Sequence, residues 1–135
     1  IVDLSPVRKQ LPDQIIYSLN ELDMPSFNSQ RELPKWGAIF SPYVCFVRPI
    51  GVEEELRFLD VVDNYLKIFI SSLESIVPDS DKSSLTKERY EGQLFYCLNQ
   101  KQNEKTRKVL EKAFTVEWAD RYIEEVLFDI PKPIL

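Results

Sequence analysis

The spacing of apolar positions changes period along the chain, and the changes mark out its elements. In residues 13–22, Ile15, Ile16, Leu19 and Leu22 recur at the three-to-four spacing of one helical face, and Pro12 stands where a helix start tolerates a residue without an amide hydrogen. Residues 53–77 carry the same period much further: Leu59, Val62, Leu66, Phe69, Leu73 and Ile76 form one stripe, which predicts a long helix with that stripe turned inward. Glu53-Glu54-Glu55 opens it. Carboxylates suit the positive end of a helix dipole, and consecutive positions do not converge on one face, so the run reads as a solvated helix start rather than a cation site. Pro78-Asp79-Ser80-Asp81 ends that helix, and the next, from Ser84, turns Tyr90, Leu94, Cys97 and Leu98 inward. Asn103 and Thr115 stand as N-caps of two short helices, the first holding Val109, Leu110, Ala113 and Phe114, the second Trp118, Tyr122, Val126 and Leu127. Pro131 and Pro133 follow.

Two stretches have the other period. Residues 43–48, Tyr-Val-Cys-Phe-Val-Arg between Pro42 and Pro49, are rich in β-branched and aromatic residues and predict a strand. Alternation sends Val44, Phe46 and Arg48 to one face and Tyr43, Cys45 and Val47 to the other, so both faces are largely apolar. A strand covered on both sides implies helices above and below a sheet, a three-layer sandwich rather than a bundle. Residues 1–4 read as the tail of a second strand, stopped by Ser5-Pro6, and residues 23–36, with Pro25 and Pro34, as an ordered loop. Two strands are too few for such a sheet, which predicts that further strands lie outside this chain.

Composition narrows the chemistry. A chain of 135 residues with 44% hydrophobic content makes one globular domain, and no apolar run is long enough to span a membrane. Histidine is absent, which removes the commonest general base and transition-metal ligand. Cys45 and Cys97 have no partner spacing and read as reduced structural thiols of a cytoplasmic protein; no metal site is expected. A net charge of −5 argues against nucleic-acid binding. Residues 101–112 depart from that balance: Lys101, Lys105, Arg107, Lys108 and Lys112 face only Glu104 and Glu111, a patch suited to steering an acidic partner. The same residues also allow an ordinary solvated helix face, with Glu104–Lys108 and Arg107–Glu111 as i,i+4 pairs.

The segments Gln30-Arg31-Glu32-Leu33-Pro34-Lys35-Trp36-Gly37, Ile39-Phe40-Ser41-Pro42-Tyr43 and the run from Asn103 to Pro131 together resemble the ferredoxin-dependent bilin reductases, over nearly all 135 residues. The resemblance implies a three-layer α/β/α sandwich on a central, mostly antiparallel sheet, of which residues 1–135 are the helix-rich C-terminal half of a single domain. It implies ferredoxin-dependent reduction of biliverdin IXα to phycocyanobilin, with reduced ferredoxin as external electron donor, no bound cofactor, and a monomeric protein. Biliverdin is a linear tetrapyrrole with two propionates, so its site needs fixed cations beside an apolar slot. Arg31 and Lys105 match the family's propionate-binding pair, Asn103 falls beside the pyrrole lactams, and Val109 lines the pocket wall or the core. Lys101, Arg107, Lys108 and Lys112 are candidates for ferredoxin docking, on charge alone.

The family's proton-donating acids belong to upstream segments, so no catalytic residue is expected in this chain, which alone would be inactive. Asp3 is then read as a hydrogen-bonding turn residue. Trp36, Phe40, Tyr43 and Phe46 fit a pigment slot or a core, and Trp118 and Tyr122 a core. An open sheet edge and an exposed apolar face are expected where the missing half would pack. Two other readings remain open: a bilin-binding module without catalysis, and a helical interaction domain whose basic face recruits an acidic partner.

Overall fold

A computed structural model describes residues 1–133. Among them, five α-helices form where the apolar period predicts them: α1 is Asp13–Asn20, α2 Gly51–Leu73, α3 Ser84–Gln100, α4 Glu104–Ala113 and α5 Val116–Tyr122. Helix α2 starts earlier than the stripe suggests, at Gly51, whose φ of 74° lies in the left-handed region that glycine enters without a Cβ penalty. The side chains of Ser83, Asn103 and Thr115 accept backbone N–H bonds from Leu85 (3.1 Å), Thr106 (3.3 Å) and Trp118 (3.1 Å), so α3, α4 and α5 begin on side-chain caps. Helix α5 continues into one π-helical turn, Ile123–Leu127, closed by the bond from Phe128 N–H to the Ile123 carbonyl at 3.0 Å. A 3₁₀ turn occupies Gly37–Ile39.

The expected three-layer α/β/α sandwich does not form: among the described residues there is no sheet, only the isolated antiparallel bridges Val2↔Cys45 and Gln30↔Val47. The strand predicted over 43–48 does not form: Tyr43 lies in a turn, and the segment pairs on both edges, each time for one bridge. Val2 and Cys45 exchange both backbone bonds (3.0 and 2.9 Å), while on the other edge Arg31 N–H donates to the Phe46 carbonyl and Arg48 N–H to the Ser29 carbonyl, each at 2.9 Å. The pairing stops there because the partners are short. Pro6 follows the run that contains Val2, and Pro25 and Pro34 bracket residues 29–31, and proline has no amide to extend a ladder. The open sheet edge foreseen from the sequence therefore has no sheet to belong to.

The chain divides into two compact units. The first comprises Ile1–Pro6, Gln10–Pro34 and Phe40–Pro78. Its core joins Leu11, Ile15 and Leu19 at α1, Cys45 and Val47 of the extended segment, and Val61 and Tyr65 of α2. The face of α2 that enters this core is not the predicted one. Phe58, Val61, Tyr65, Ile68 and Ser72 pack inward, whereas Leu59, Leu66, Phe69, Leu73 and Ile76 are 43–59% exposed. The two stripes lie roughly 100° apart around the helix, and both are apolar, so period alone does not choose between them.

The second unit comprises Val7–Lys9, Lys35–Ile39 and Asp79–Leu135, the structure describing it to residue 133. Among its described residues the buried hydrophobics are Ile39, Ala119 and Ile123; α3 and α4 contribute none, and Leu98, expected inside, is 48% exposed. The backbone of residues 7–9 lies directly on α3, where a Cβ at Gly92 would stand 2.2 Å from the Val7 carbonyl oxygen. Arg8 pairs with Glu88 at 3.4 Å on the same helix.

Candidate functional site

Arg31 leaves the loop between α1 and the extended segment at a point fixed by the backbone. Its own N–H bonds the Phe46 carbonyl, and its guanidinium lies over the Phe46 ring, 5.1 Å from the centroid. Arg31 is exposed, and with Phe46, Phe27, Leu33 and Val44 it lines a groove of about 230 Å³. Phe27 meets Phe58 of α2 edge to face, with centroids 6.4 Å apart, so the groove floor is continuous with the core of the first unit. The result is a shallow apolar surface with one planar cation at its edge. Such a surface can take an apolar group while its cation pairs with a carboxylate.

Asp3 takes the hydrogen-bonding role expected of it. Its carboxylate accepts from the Ser5 hydroxyl (2.7 Å), the Ser41 backbone N–H (2.9 Å) and the Ser41 hydroxyl, and the Ser41 oxygen in turn accepts from Tyr43 N–H at 3.1 Å. Close by, the Tyr65 hydroxyl donates to the Tyr43 carbonyl. Burial, reinforced by Cys45, Asp3 and Tyr43, pushes the Tyr65 phenol up to about 12. Cys45 is a free buried thiol whose pKa burial raises, and the free thiol of Cys97 is raised for the same reason; neither is activated as a nucleophile. Among the described residues no group of three or more His, Cys, Asp or Glu side chains converges to hold a metal ion.

Glu54 is the residue that the sequence reading misplaces. Glu53 and Glu55 are exposed, as a solvated helix start requires, but Glu54 is 2% exposed. Its carboxylate accepts from Asn28 N–H at 3.0 Å and from Ile50 N–H at 2.8 Å. The second bond reaches back to the N-cap amide of α2, as a capping-box glutamate does, but from one position later than the usual capping-box spacing, which would point to Glu53. The Asn28 bond, then the Ile50 bond, hold the carboxyl below its usual range against the opposing effect of burial. A depressed pKa stabilises the fold at pH values above the ordinary carboxylate range, and that contribution is lost as pH falls through the depressed value.

The remaining candidates lie in the second unit. Asn103 is half-buried and spends its side-chain oxygen on the cap of α4. Lys105, Lys108 and Lys112 are exposed on α4 and fall within about 60° of one another around the helix, with Val109, 67% exposed, beside them. No ion pair engages these three lysines among the described residues, and neither i,i+4 pair allowed by the sequence forms. Arg107 instead pairs with Asp120 of α5, and Lys101 with Glu124 of the π turn. Two of the four docking candidates are thus half-buried and already neutralised. Trp118 stacks between Phe114 and Tyr122, at centroid distances of 4.0 and 4.7 Å, and is 40% exposed rather than core.

Comparison with known proteins bears on the whole chain. The profile of the family described as ferredoxin-dependent bilin reductase matches residues 1–129. A phycocyanobilin:ferredoxin oxidoreductase of Prochlorococcus marinus strain SARG is 58% identical over 97% of this chain and 53% of its own length. A protein of that name from strain MIT 9313 is 52% identical over 99% of this chain and 51% of its own, and one from Trichodesmium erythraeum strain IMS101 is 44% identical over 97% and 54%. The chain spans about half the length of the curated relatives it matches. Identity at this level, running through nearly the whole chain and both of its units, places the chain in the ferredoxin-dependent bilin reductase family.

Proposed function

We propose that the protein containing this chain reduces biliverdin IXα to phycocyanobilin, with electrons delivered singly by reduced ferredoxin and protons delivered by acids in the remainder of the family domain. The observation that carries this reading is the 52–58% identity to phycocyanobilin:ferredoxin oxidoreductases across 97–99% of the chain. Residues 1–135 supply the C-terminal half of the domain and hold the pigment. Arg31 grips one propionate through its planar fork, and Lys105, a flexible point charge at the start of α4, grips the other. Asn103 lies beside the lactam end of the pigment and Val109 against its edge. Lys108 and Lys112, which make no ion pair among the described residues, steer the acidic donor. Lys101 and Arg107 would join them only by giving up Glu124 and Asp120.

The bilin itself carries the electrons in this scheme, so the protein's work is to bind, orient and protonate it. The test is a visible-spectrum titration of the whole protein with biliverdin, followed by turnover with reduced ferredoxin. Arg31→Gln and Lys105→Gln should each weaken binding by roughly 10- to 100-fold, the loss of a charge-assisted contact. They should do so for biliverdin and not for its dimethyl ester. Equal affinity of both variants and the parent for the free acid would overturn the anchoring roles, and an unaltered pigment spectrum with the parent would overturn the substrate. The 135-residue chain alone should give no turnover.

A further inference from the structure

The loop that carries Arg31 is held by α2 as well as by the extended segment. Four backbone points fix it: Ser26 C=O accepts from the Arg57 guanidinium at 3.3 Å, Asn28 N–H donates to the Glu54 carboxylate, Ser29 C=O accepts from Arg48 N–H, and Arg31 N–H donates to Phe46 C=O. The two side chains of this clamp lie one turn apart on α2, and Arg57 is itself paired with Glu53 at 3.5 Å. Glu54 differs from its acidic neighbours in every respect that matters here. It is buried, it spans two backbone amides, and one of them belongs to a residue 26 positions earlier in the chain.

A buried carboxylate costs free energy unless its oxygens are bonded, and capping α2 requires only one of them. The other oxygen is spent on Asn28, three residues before the candidate anchor. We infer that Glu54 is a positioning residue: from the first turns of α2 it fixes the 28–31 loop, so that the Arg31 guanidinium stands over Phe46 at the mouth of the groove, aligned for a carboxylate. The inference rests on the reading of Arg31 as a propionate anchor and deepens it. An arginine confined over an aromatic face loses less rotamer freedom when it binds, and the gain appears as affinity for the acid group alone. Glu54 touches no substrate in this scheme. Its effect passes entirely through the loop.

The experiment uses the whole protein and compares affinities for biliverdin and for its dimethyl ester in the parent, Arg31→Gln, Glu54→Gln and the double variant. The acid-over-ester preference should fall about 2- to 10-fold in Glu54→Gln, the range expected for freeing one ordered side chain. Affinity for the ester should not change, and Glu54→Gln should have no further effect once Arg31 is Gln. Glu54→Asp keeps the charge but is one methylene too short to reach both amides, and should behave like Glu54→Gln. A preference unchanged in both Glu54 variants, while Arg31→Gln lowers it, overturns the positioning role and leaves the anchor standing. A preference unchanged in Arg31→Gln overturns the anchor itself. Equal loss of acid and ester binding, or failure of both Glu54 variants to fold, assigns the carboxylate to the fold at large and also overturns the proposal.

Discussion

Each of the two units of this chain is stabilised internally, and by different means. The first closes on seven buried hydrophobic side chains, Leu11 and six drawn from α1, α2 and the extended segment, with the Asp3–Ser41 and Tyr65–Tyr43 bonds tying the backbone beneath them. The second buries three among its described residues, and relies on capped helices, the Arg107–Asp120, Lys101–Glu124 and Arg89–Asp79 ion pairs, and the close approach of Val7 to Gly92. Burial of apolar surface is the larger and less condition-dependent force, whereas partly exposed ion pairs contribute little and weaken with salt. The unit with the core should therefore set stability, and the unit with the caps and pairs should open first and respond to ionic strength.

The largest break in that contrast should come from Leu19→Ala, which empties part of the first core. It should cost about 2–5 kcal/mol, read by hydrogen exchange of amides in α1 and α2, with the amides of α3 to α5 unaffected at low denaturant. Tyr65→Phe is a milder probe of the same unit. It leaves the Tyr43 carbonyl without its donor and should cost about 1–3 kcal/mol. The phenol pKa is raised, so Tyr65 contributes fully at pH values below the ordinary tyrosine range, and the contribution is lost as pH rises toward about 12. Thermal melts of the parent should fall along that alkaline limb, and those of Tyr65→Phe should fall less. The smallest effect belongs to the second unit: Asn103→Ala removes the cap of α4 and should cost about 1 kcal/mol, visible as faster exchange of the Thr106 amide. A loss as large as that of Leu19→Ala would erase the distinction between the units.

Helix positions and caps were legible because they are local. Asn103 and Thr115 announce their helices within four residues, whereas the cap of α3, Ser83, is not among the caps expected from the sequence; the structure places the helix ends within a few residues of the expected ones. The facing of α2 was not legible, since its two apolar stripes are equally periodic and only the rest of the fold selects one. The sheet was over-read. Both faces of residues 43–48 are apolar, but Cys45 and Val47 are buried while Val44 and Phe46 are half-exposed and line a groove, so the second apolar face served a surface rather than another layer. Of the candidate site, Arg31 and Lys105 came from resemblance alone, because an exposed cation in a loop or on a helix has no periodic signature. Glu54 was hidden by its neighbours: in a run of three glutamates, sequence does not say which one turns inward.

The distribution of indole chromophores has a practical consequence. Trp36 and Trp118 both belong to the second unit, and Trp118 is sandwiched in the stacked Phe114–Trp118–Tyr122 ladder, whose coupled rings should give it a distinct near-ultraviolet dichroic band. Neither tryptophan belongs to the first unit, where Arg31 and its groove reside. A spectroscopist who wants an indole inside the first unit must place one there.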